Sequence, residues 1–433
     1  MSSTKIVVIG AGSTGSFITH DLASRGFDVT VIERGNIIGG TSGKFHGMLH
    51  SGARYAMTDT AAAKESILDN KVISDIAPFC IENTEGLFVA LNDEDLSFQE
   101  KFENGCKSAG IPIENIEPNK ILDEEPFLNK KIKAAYLVPD KTINSFRFIT
   151  SLLLTAKRES AKVYLNTEVV DFIKEGNTVK GVRVKSQNGE IKDIAADLVI
   201  NSSGAWASNL INNKLGITSI EMILSAGTMA VINRRFTKRI INRLREPSDG
   251  DIVVPFFNDS IIGTTAFIVD DPDKFDIDRD DISFLQKAGS EMIPALATYP
   301  VQRYYAGVRP LVATENEDSR KASRDFRIFD HSKTDNINGI ISIVGGKLST
   351  SRIMAKNIVD FVNDKFNMNT KSNTENIKLY WPSITAETVD EMAKSLSIDK
   401  GLLIEIINES SGRTYSDMYS GVKDFLYSRM LFN

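Results

Sequence analysis

Near the start of the chain, Gly10-Ala-Gly-Ser-Thr-Gly15 carries the spacing G-x-G-x-x-G. That pattern can hold a pyrophosphate on backbone amides. Gly10 permits a tight turn, Gly12 lets N–H groups approach the anion, and Gly15 lets a following helix pack close to the preceding strand. Glu33 lies 23 positions beyond Gly10, the right separation for a carboxylate accepting hydrogen bonds from an adenosine ribose. The same carboxylate would repel a ribose phosphate, which argues against NADP. A glycine turn alone fits any α/β protein, so the flanking elements decide.

Lys5-Ile-Val-Val-Ile-Gly10 is an apolar run short enough for a buried strand. A helical pattern follows to about Arg25, and Asp28-Val-Thr-Val-Ile-Glu33 reads as a second strand ending in the acid. This is the strand–turn–helix–strand context of a dinucleotide site. The fingerprint alone does not separate NAD from FAD, and the next stretch favours the longer cofactor. Gly39-Gly-Thr-Ser-Gly43 and Phe45-His-Gly-Met-Leu-His-Ser-Gly-Ala-Arg-Tyr55 give a second flexible, hydroxyl-rich turn, suited to a longer cofactor. At the far end, Gly339-Ile-Ile-Ser-Ile-Val344 leads into Gly345-Gly-Lys-Leu-Ser-Thr350 and another helical pattern. A glycine turn at a helix start offers amides and a positive dipole end to a flavin or phosphate, although it also fits an ordinary strand-to-helix turn.

The totals narrow the field. At 433 residues the chain can form two domains with sizeable cores. A net charge of −6 gives no general attraction to nucleic acid or anionic lipid. Cys80 and Cys106 lie 26 positions apart and only four histidines occur. This excludes a cysteine-rich metal site, predicts no metal, and suits a reducing, cytoplasmic compartment. The first apolar run lacks a basic flank and leads straight into the glycine turn, so no signal peptide is expected. No run approaches ~20 apolar residues, so no transmembrane segment is expected.

Taken in order, residues 60–76 read as a helix stopped by Pro78, 86–91 as a strand, 96–109 as a charged helix and 145–159 as another. Strands at 168–174 and 179–185 flank a hairpin signal. Asp197-Leu-Val-Ile-Asn-Ser-Ser-Gly204 is a buried strand whose small residues would let a ligand approach, with Trp206 beyond. From 224 to 324 the texture turns antiparallel, with strands at 228–232, 251–254 and 260–268. Asp276, Asp278 and Asp280 mimic a calcium loop, but Asp281 and Lys287 stand where Gly and Glu are needed, so 270–281 reads as a solvated loop.

The expected fold is α/β: a Rossmann-like FAD-binding domain (1–77, 140–222 and 330–370), an inserted, mainly antiparallel α+β substrate domain (78–139 and 223–329), and a helical C-terminal region (371–433). Candidate cofactor-binding residues are Gly10, Gly12, Ser13, Thr14, Gly15, Glu33 and Arg34 in the first unit, then Thr41, Ser42, His46 and Gly47. Val169, Gly204 and Trp206 join them from the middle, and Gly345, Gly346, Lys347 and Leu348 from the end.

The chain resembles the FAD-dependent glycerol-3-phosphate dehydrogenases, and among them the catalytic A subunits of the anaerobic enzymes, within the D-amino-acid-oxidase-like flavoproteins. The resemblance rests on Gly10–Gly15, His46–Tyr55, Glu85-Gly-Leu-Phe-Val89, Asp95-Leu-Ser-Phe-Gln99 and Glu246-Pro-Ser-Asp-Gly-Asp-Ile-Val-Val-Pro255. Ile262-Gly-Thr-Thr265, Gly307-Val-Arg-Pro-Leu-Val312, Ser323-Arg-Asp325 and Gly345-Gly-Lys-Leu348 extend it, in collinear order, over residues 5–365. It implies oxidation of sn-glycerol 3-phosphate to dihydroxyacetone phosphate, with hydride passing from carbon to flavin N5. Arg309, Arg324, Lys347 and Arg54 stand at the positions that would hold the phosphate, with Arg309 also able to hold the alcohol oxygen. His50 is the candidate for the hydroxyl proton, against a structural role in the flavin loop, and Tyr55 would complete the pocket. His46, His20 and His331 have no comparable case as proton acceptors.

Two departures stand out. Relatives commonly carry Lys-Gly where this chain has Ser225-Ala226-Gly227, and some carry Asp where it has Ala266. Both are expected to leave fewer polar groups facing a substrate. The tail has no cysteine, unlike the cysteine-rich ending usual in the family's catalytic subunits. Electrons are therefore expected to leave to a partner subunit, quinone or oxygen, with a peripheral contact on the inner face of the membrane if quinone is the acceptor. The alternatives are a related flavoenzyme acting on a 2-hydroxy acid or amino acid, and a non-catalytic flavin subunit.

Overall fold

A computed structural model describes residues 4–312 and 326–381, with the single residues Asp390, Lys394 and Gly401. A six-stranded sheet runs in the order Phe326–Asp330, Ile340–Gly345, Leu198–Asn201, Lys5–Ile9, Asp28–Ile32, Lys162–Tyr164. All neighbours are parallel except the first pair, which is antiparallel. Both faces are covered, which is why the strands read as continuous apolar runs. Ile6, Val8, Val29 and Val31 face the helices Ser13–Ser24, Ser145–Arg158 and Ser351–Lys365, where Phe17, Leu22, Phe148 and Ile358 are buried. Each such side chain contributes about 1.5–3 kcal/mol on burial. Val7, Ile9 and Val199 face the opposite way, onto the antiparallel meander Thr167–Glu175, Thr178–Ser186, Ile191–Ala195.

The second sheet is mainly antiparallel. Its longest strand, Met222–Ile232, pairs along its length with Arg303–Val312, placing Ser225 opposite Arg309. Its other edge meets Asp259–Gly263 and Phe267–Ile268. The sheet continues through Ile252–Phe256, Ile240–Arg243, Gly86–Ala90, Ala134–Val138 and Glu114–Ile116. The helix Arg279–Met292 buries Leu285 and Met292 against one face, and Gln99–Ala109 sets Phe102 against Phe88 and Tyr136 on the other. A small sheet of Met48–Leu49, Lys141–Ile143 and Ile81–Glu82 lies between the two.

Three expectations change. The charged helix at 96–109 is two helices, Asp93–Leu96 and Gln99–Ala109, because Asn92 caps an earlier start through Asp95 N. The strand at 260–268 breaks after Gly263, where the chain turns Thr264 and Thr265 inward. The acidic loop ends early: Asp278 caps the helix Arg279–Met292, and Asp281 accepts hydrogen bonds from Thr228 and Thr265 at 3.0 and 2.7 Å. Residues 371–381 form an irregular strap over the helices, with Leu379 N on Ile76 O, Tyr380 N on Thr155 and Trp381 stacked on Phe79. The rest of the expected helical tail lies outside the described residues, as does Arg324. Among the described residues no helix is long and apolar enough to cross a membrane.

Candidate functional site

The Gly10 turn shows why its residue types are needed. Gly10 has φ +95°, and a Cβ there would stand 2.9 Å from Ser202 O. A Cβ on Gly15 would overlap the carbonyl oxygen of Gly10, so the helix can pack on the turn only without a side chain. Gly12 precedes the helix without a side-chain cap, while Ser42 accepts from Ser13 N at 3.0 Å. The Glu33 carboxylate accepts from Ala11 N at 2.9 Å and from Gly35 N at 3.0 Å, which pins the acid beside the turn. Such charge-assisted bonds fix position as well as energy.

This turn opens into a cavity of about 1380 Å³ between the two large sheets. Ser13, Thr14, Glu33 and Arg34 line it from the first unit, Thr41, Ser42 and His46 from the second turn, and Val169, Gly204 and Trp206 from the middle of the chain. Gly345, Gly346, Lys347 and Leu348 line it from the last turn. Gly15 and Gly47 are not on its wall: Gly15 lies behind the turn, and Gly47 abuts the Phe256 ring. Thr41 donates to Val308 O at 2.6 Å, tying this loop to the second sheet. Arg34 makes a bidentate pair with Asp273 at 2.7 and 3.1 Å and lies 4.3 Å over the Trp206 ring, whose Nε1 donates to the same carboxylate at 2.8 Å.

Further cations line the same cavity. Arg309 donates to Ser225 Oγ at 3.4 Å, to Thr265 O at 3.3 Å and to Thr264 Oγ1. Asp281, half-buried and accepting from the Thr228 and Thr265 hydroxyls, steadies that turn. Lys347 places Nζ 3.9 Å over the Tyr55 ring, a cation–π contact. Its turn is closed by Lys347 N on Thr350 Oγ1 at 3.1 Å and anchored by Arg352, whose Nε donates to Asp69 at 2.8 Å. Burial pushes the Asp69 carboxyl up to about 6 although Arg352 pulls it down. Arg54 is held by Asp251 at 2.6 Å and by Ser248 O at 3.2 Å, a use the sequence did not suggest. His50 lies with its ring 5.6 Å from both the His46 and Tyr55 rings. Behind it, Asp140 accepts from Ser51 N at 2.6 Å and Asn70 donates to Leu49 O at 3.0 Å, fixing the loop that carries His50 and Arg54.

His20 is buried in the helix Ser13–Ser24, and His331 bonds Asp335 and Ser342, each at 2.8 Å; both are structural. Cys80 and Cys106 are unpaired and buried, and burial pushes both thiols up to about 12. Among the described residues no cluster could hold a metal ion.

The expectation for Ala226 needs correction. Ser225 and Gly227 line the cavity, while Ala226 packs in the core against Leu224, Val269 and Val308, because adjacent strand residues face opposite ways. Ala266 does line the cavity. Sequence reasoning missed Arg245, Thr264 and Thr265, which also line it. The two threonines stand in the Ile262–Thr265 motif, while Arg245 directly precedes the Glu246–Pro255 stretch.

The residues present fit an FAD: amides and a positive-φ turn for the pyrophosphate, a pinned carboxylate for the ribose, and a second glycine turn at the far end. A family model described as FAD dependent oxidoreductase matches residues 5–358. The A1 subunit of the anaerobic glycerol-3-phosphate dehydrogenase of Haloferax volcanii is 40% identical over 386 residues, covering 86% of this chain and 65% of that protein. The corresponding polypeptide of the Escherichia coli anaerobic glycerol-3-phosphate dehydrogenase is 39% identical over 364 residues, covering 83% and 67%. This chain thus spans about two thirds of the length of these curated relatives. Among solved structures, the glycerol-3-phosphate dehydrogenase of Bacillus halodurans complexed with FAD superposes with TM-score 0.69 at 22% identity, covering 98% of this chain and 79% of that one. The L-alpha-glycerophosphate oxidase of Mycoplasma pneumoniae with FAD bound gives 0.70 at 21%, covering 89% and 100%. At those identities the likeness shows the fold.

Proposed function

The chain belongs to the FAD-dependent oxidoreductases, and from that membership we propose that it oxidises sn-glycerol 3-phosphate to dihydroxyacetone phosphate. The observation that carries the reading is that Arg309, Lys347, Arg54 and His50 line the same cavity as the Gly10 turn. When bound, FAD supplies the acceptor for the hydride that leaves the carbinol carbon. The His50 imidazole takes the hydroxyl proton. Arg309, kept in place by Ser225, Thr264 and Thr265, presents a fixed donor to the alcohol oxygen and stabilises its developing negative charge. Lys347 gives the phosphate a point charge. Arg324, outside the described residues, is a further phosphate cation in this reading, and Tyr55 closes the pocket beneath Lys347.

The relatives named as subunits of an anaerobic dehydrogenase support electrons leaving to a partner polypeptide. The two buried, unpaired thiols suit a cytoplasmic location. The test is anaerobic mixing of the flavin-loaded protein with sn-glycerol 3-phosphate. Bleaching of the visible flavin band is expected, and an oxidised spectrum after mixing would sink the assignment.

A further inference from the structure

Arg245 is a cavity cation whose Nε is buried and without a hydrogen-bond partner among the described residues. The backbone brings it there by a tight turn after the strand Ile240–Arg243, with Arg245 N on Arg243 O at 3.0 Å. Its side chain is 32% exposed and it lines the cavity. Among the described residues its Nε has no hydrogen-bond partner and its nearest carboxylate oxygen is Asp251 Oδ2 at 3.9 Å.

That carboxylate cannot satisfy it. Asp251 is fully buried, its Oδ1 takes Arg54 at 2.6 Å, and its Oδ2 takes the amide and hydroxyl of Ser248 at 2.9 and 3.3 Å. The nearby Glu291 is paired with Arg243 at 2.7 Å. Two guanidinium groups, Arg54 and Arg245, therefore stand around one carboxylate whose oxygens are already taken, and Arg245 is left without a short acceptor. A partly buried guanidinium without a short partner is costly, and an anion arriving in the cavity removes that cost.

We propose that Arg245 is a specificity-determining residue that binds the phosphate monoester of the substrate, with Arg54 and Asp251 setting its position. This rests on the reading of the cavity as a glycerol 3-phosphate site and adds a residue from the second sheet to it. Arginine suits the role because its planar fork can take two phosphate oxygens at once. Phosphorylated three-carbon alcohols would be selected over unphosphorylated ones by the same contact.

The experiment uses the flavin-loaded protein and compares Arg245→Ala, Arg245→Lys and, as a control on an exposed pair that does not line the cavity, Arg183→Ala. Anaerobic flavin reduction by sn-glycerol 3-phosphate is followed against concentration. Calorimetry then gives the affinity of inorganic phosphate for each variant. Arg245→Ala should raise the half-saturating substrate concentration by about 10- to 100-fold, the span of one charge-assisted contact, with a far smaller change in limiting rate. Phosphate binding should weaken in parallel, Arg245→Lys should recover part of both, and Arg183→Ala should match the parent. Unchanged half-saturation and phosphate affinity in a folded, flavin-loaded Arg245→Ala would overturn the proposal, as would loss of FAD itself, which would assign Arg245 to the cofactor. If sn-glycerol 3-phosphate fails to reduce the parent, the reading of the reaction fails separately. The phosphate titration then decides Arg245 alone: weaker binding in Arg245→Ala supports it, and equal binding or none in the parent refutes it.

Discussion

A Cβ on Gly227 would stand 2.8 Å from Cζ of Arg309 and 2.8 Å from the carbonyl oxygen of Thr265. The absent side chain is thus the space in which the guanidinium sits. Gly227→Ala should push Arg309 off Ser225 and Thr264 while leaving the cofactor turn untouched. Flavin reduction by sn-glycerol 3-phosphate should slow at least ~10-fold, matching the loss of one well-placed donor, with FAD content unchanged. Reduction at the parental rate would show that Arg309 is not held for the reaction.

Glu33 accepts two backbone amides and is the residue proposed to accept from a ribose. Replacing it by Ala would leave Ala11 N and Gly35 N without their present acceptor and remove the ribose acceptor. The affinity for FAD should fall by about 10- to 100-fold, read as fluorescence of released flavin after dilution. A variant that keeps its flavin as tightly as the parent would remove Glu33 from the cofactor site.

His20 should make the fold sensitive to acid. Burial lowers its pKa from 6.5 to about 4, so the unfolded chain takes up the proton first. The stability it confers is present above 6.5 and is lost as pH falls toward 4. His20→Phe fills a similar volume and cannot titrate. Across that window the parent should lose up to ~3 kcal/mol relative to the variant, measured by urea unfolding at each pH. Parallel pH profiles would contradict the assignment.

Asp140 has the opposite sign. Burial pushes its carboxyl up to about 6, against the Ser51 amide that favours the charged form. Its contribution is fully present below the ordinary 3.8 and is lost as pH rises through 6. Asp140→Asn should therefore gain up to about 3 kcal/mol relative to the parent between pH 4 and 7. Chemical denaturation at those two pH values gives the difference, and a pH-independent offset would rule it out.

The nucleotide half was legible because its signals are local. An apolar run, glycines at fixed offsets and an acid at a strand end all act within the first unit of the sheet. The cations were nameable from motif position, but their partners were not. Arg54 meets Asp251 across 197 positions of sequence, and no periodicity reports that. Ala226 shows a second limit: parity along Met222–Ile232 decides whether a residue faces ligand or core, and its register depends on Arg303–Val312, a strand that sequence patterning did not find. Asp281 shows a third. Composition made its neighbourhood a solvated loop, whereas in the structure Asp281 is half-buried at a helix start and accepts from two threonine hydroxyls.

The cluster of Arg34, Trp206 and Asp273 joins the end of a nucleotide-sheet strand to the loop before the helix Arg279–Met292. Arg34 and Asp273 are each nearly half exposed, so dissolved salt screens their attraction. Arg34 and Trp206 line the cavity beside Glu33, so FAD residence time should shorten as ionic strength rises, a dependence that Arg34→Ala should erase in a stopped-flow release assay. Such an outcome would make cofactor retention depend in part on the surrounding salt, through a fastening made of residues outside the Gly10–Gly15 turn.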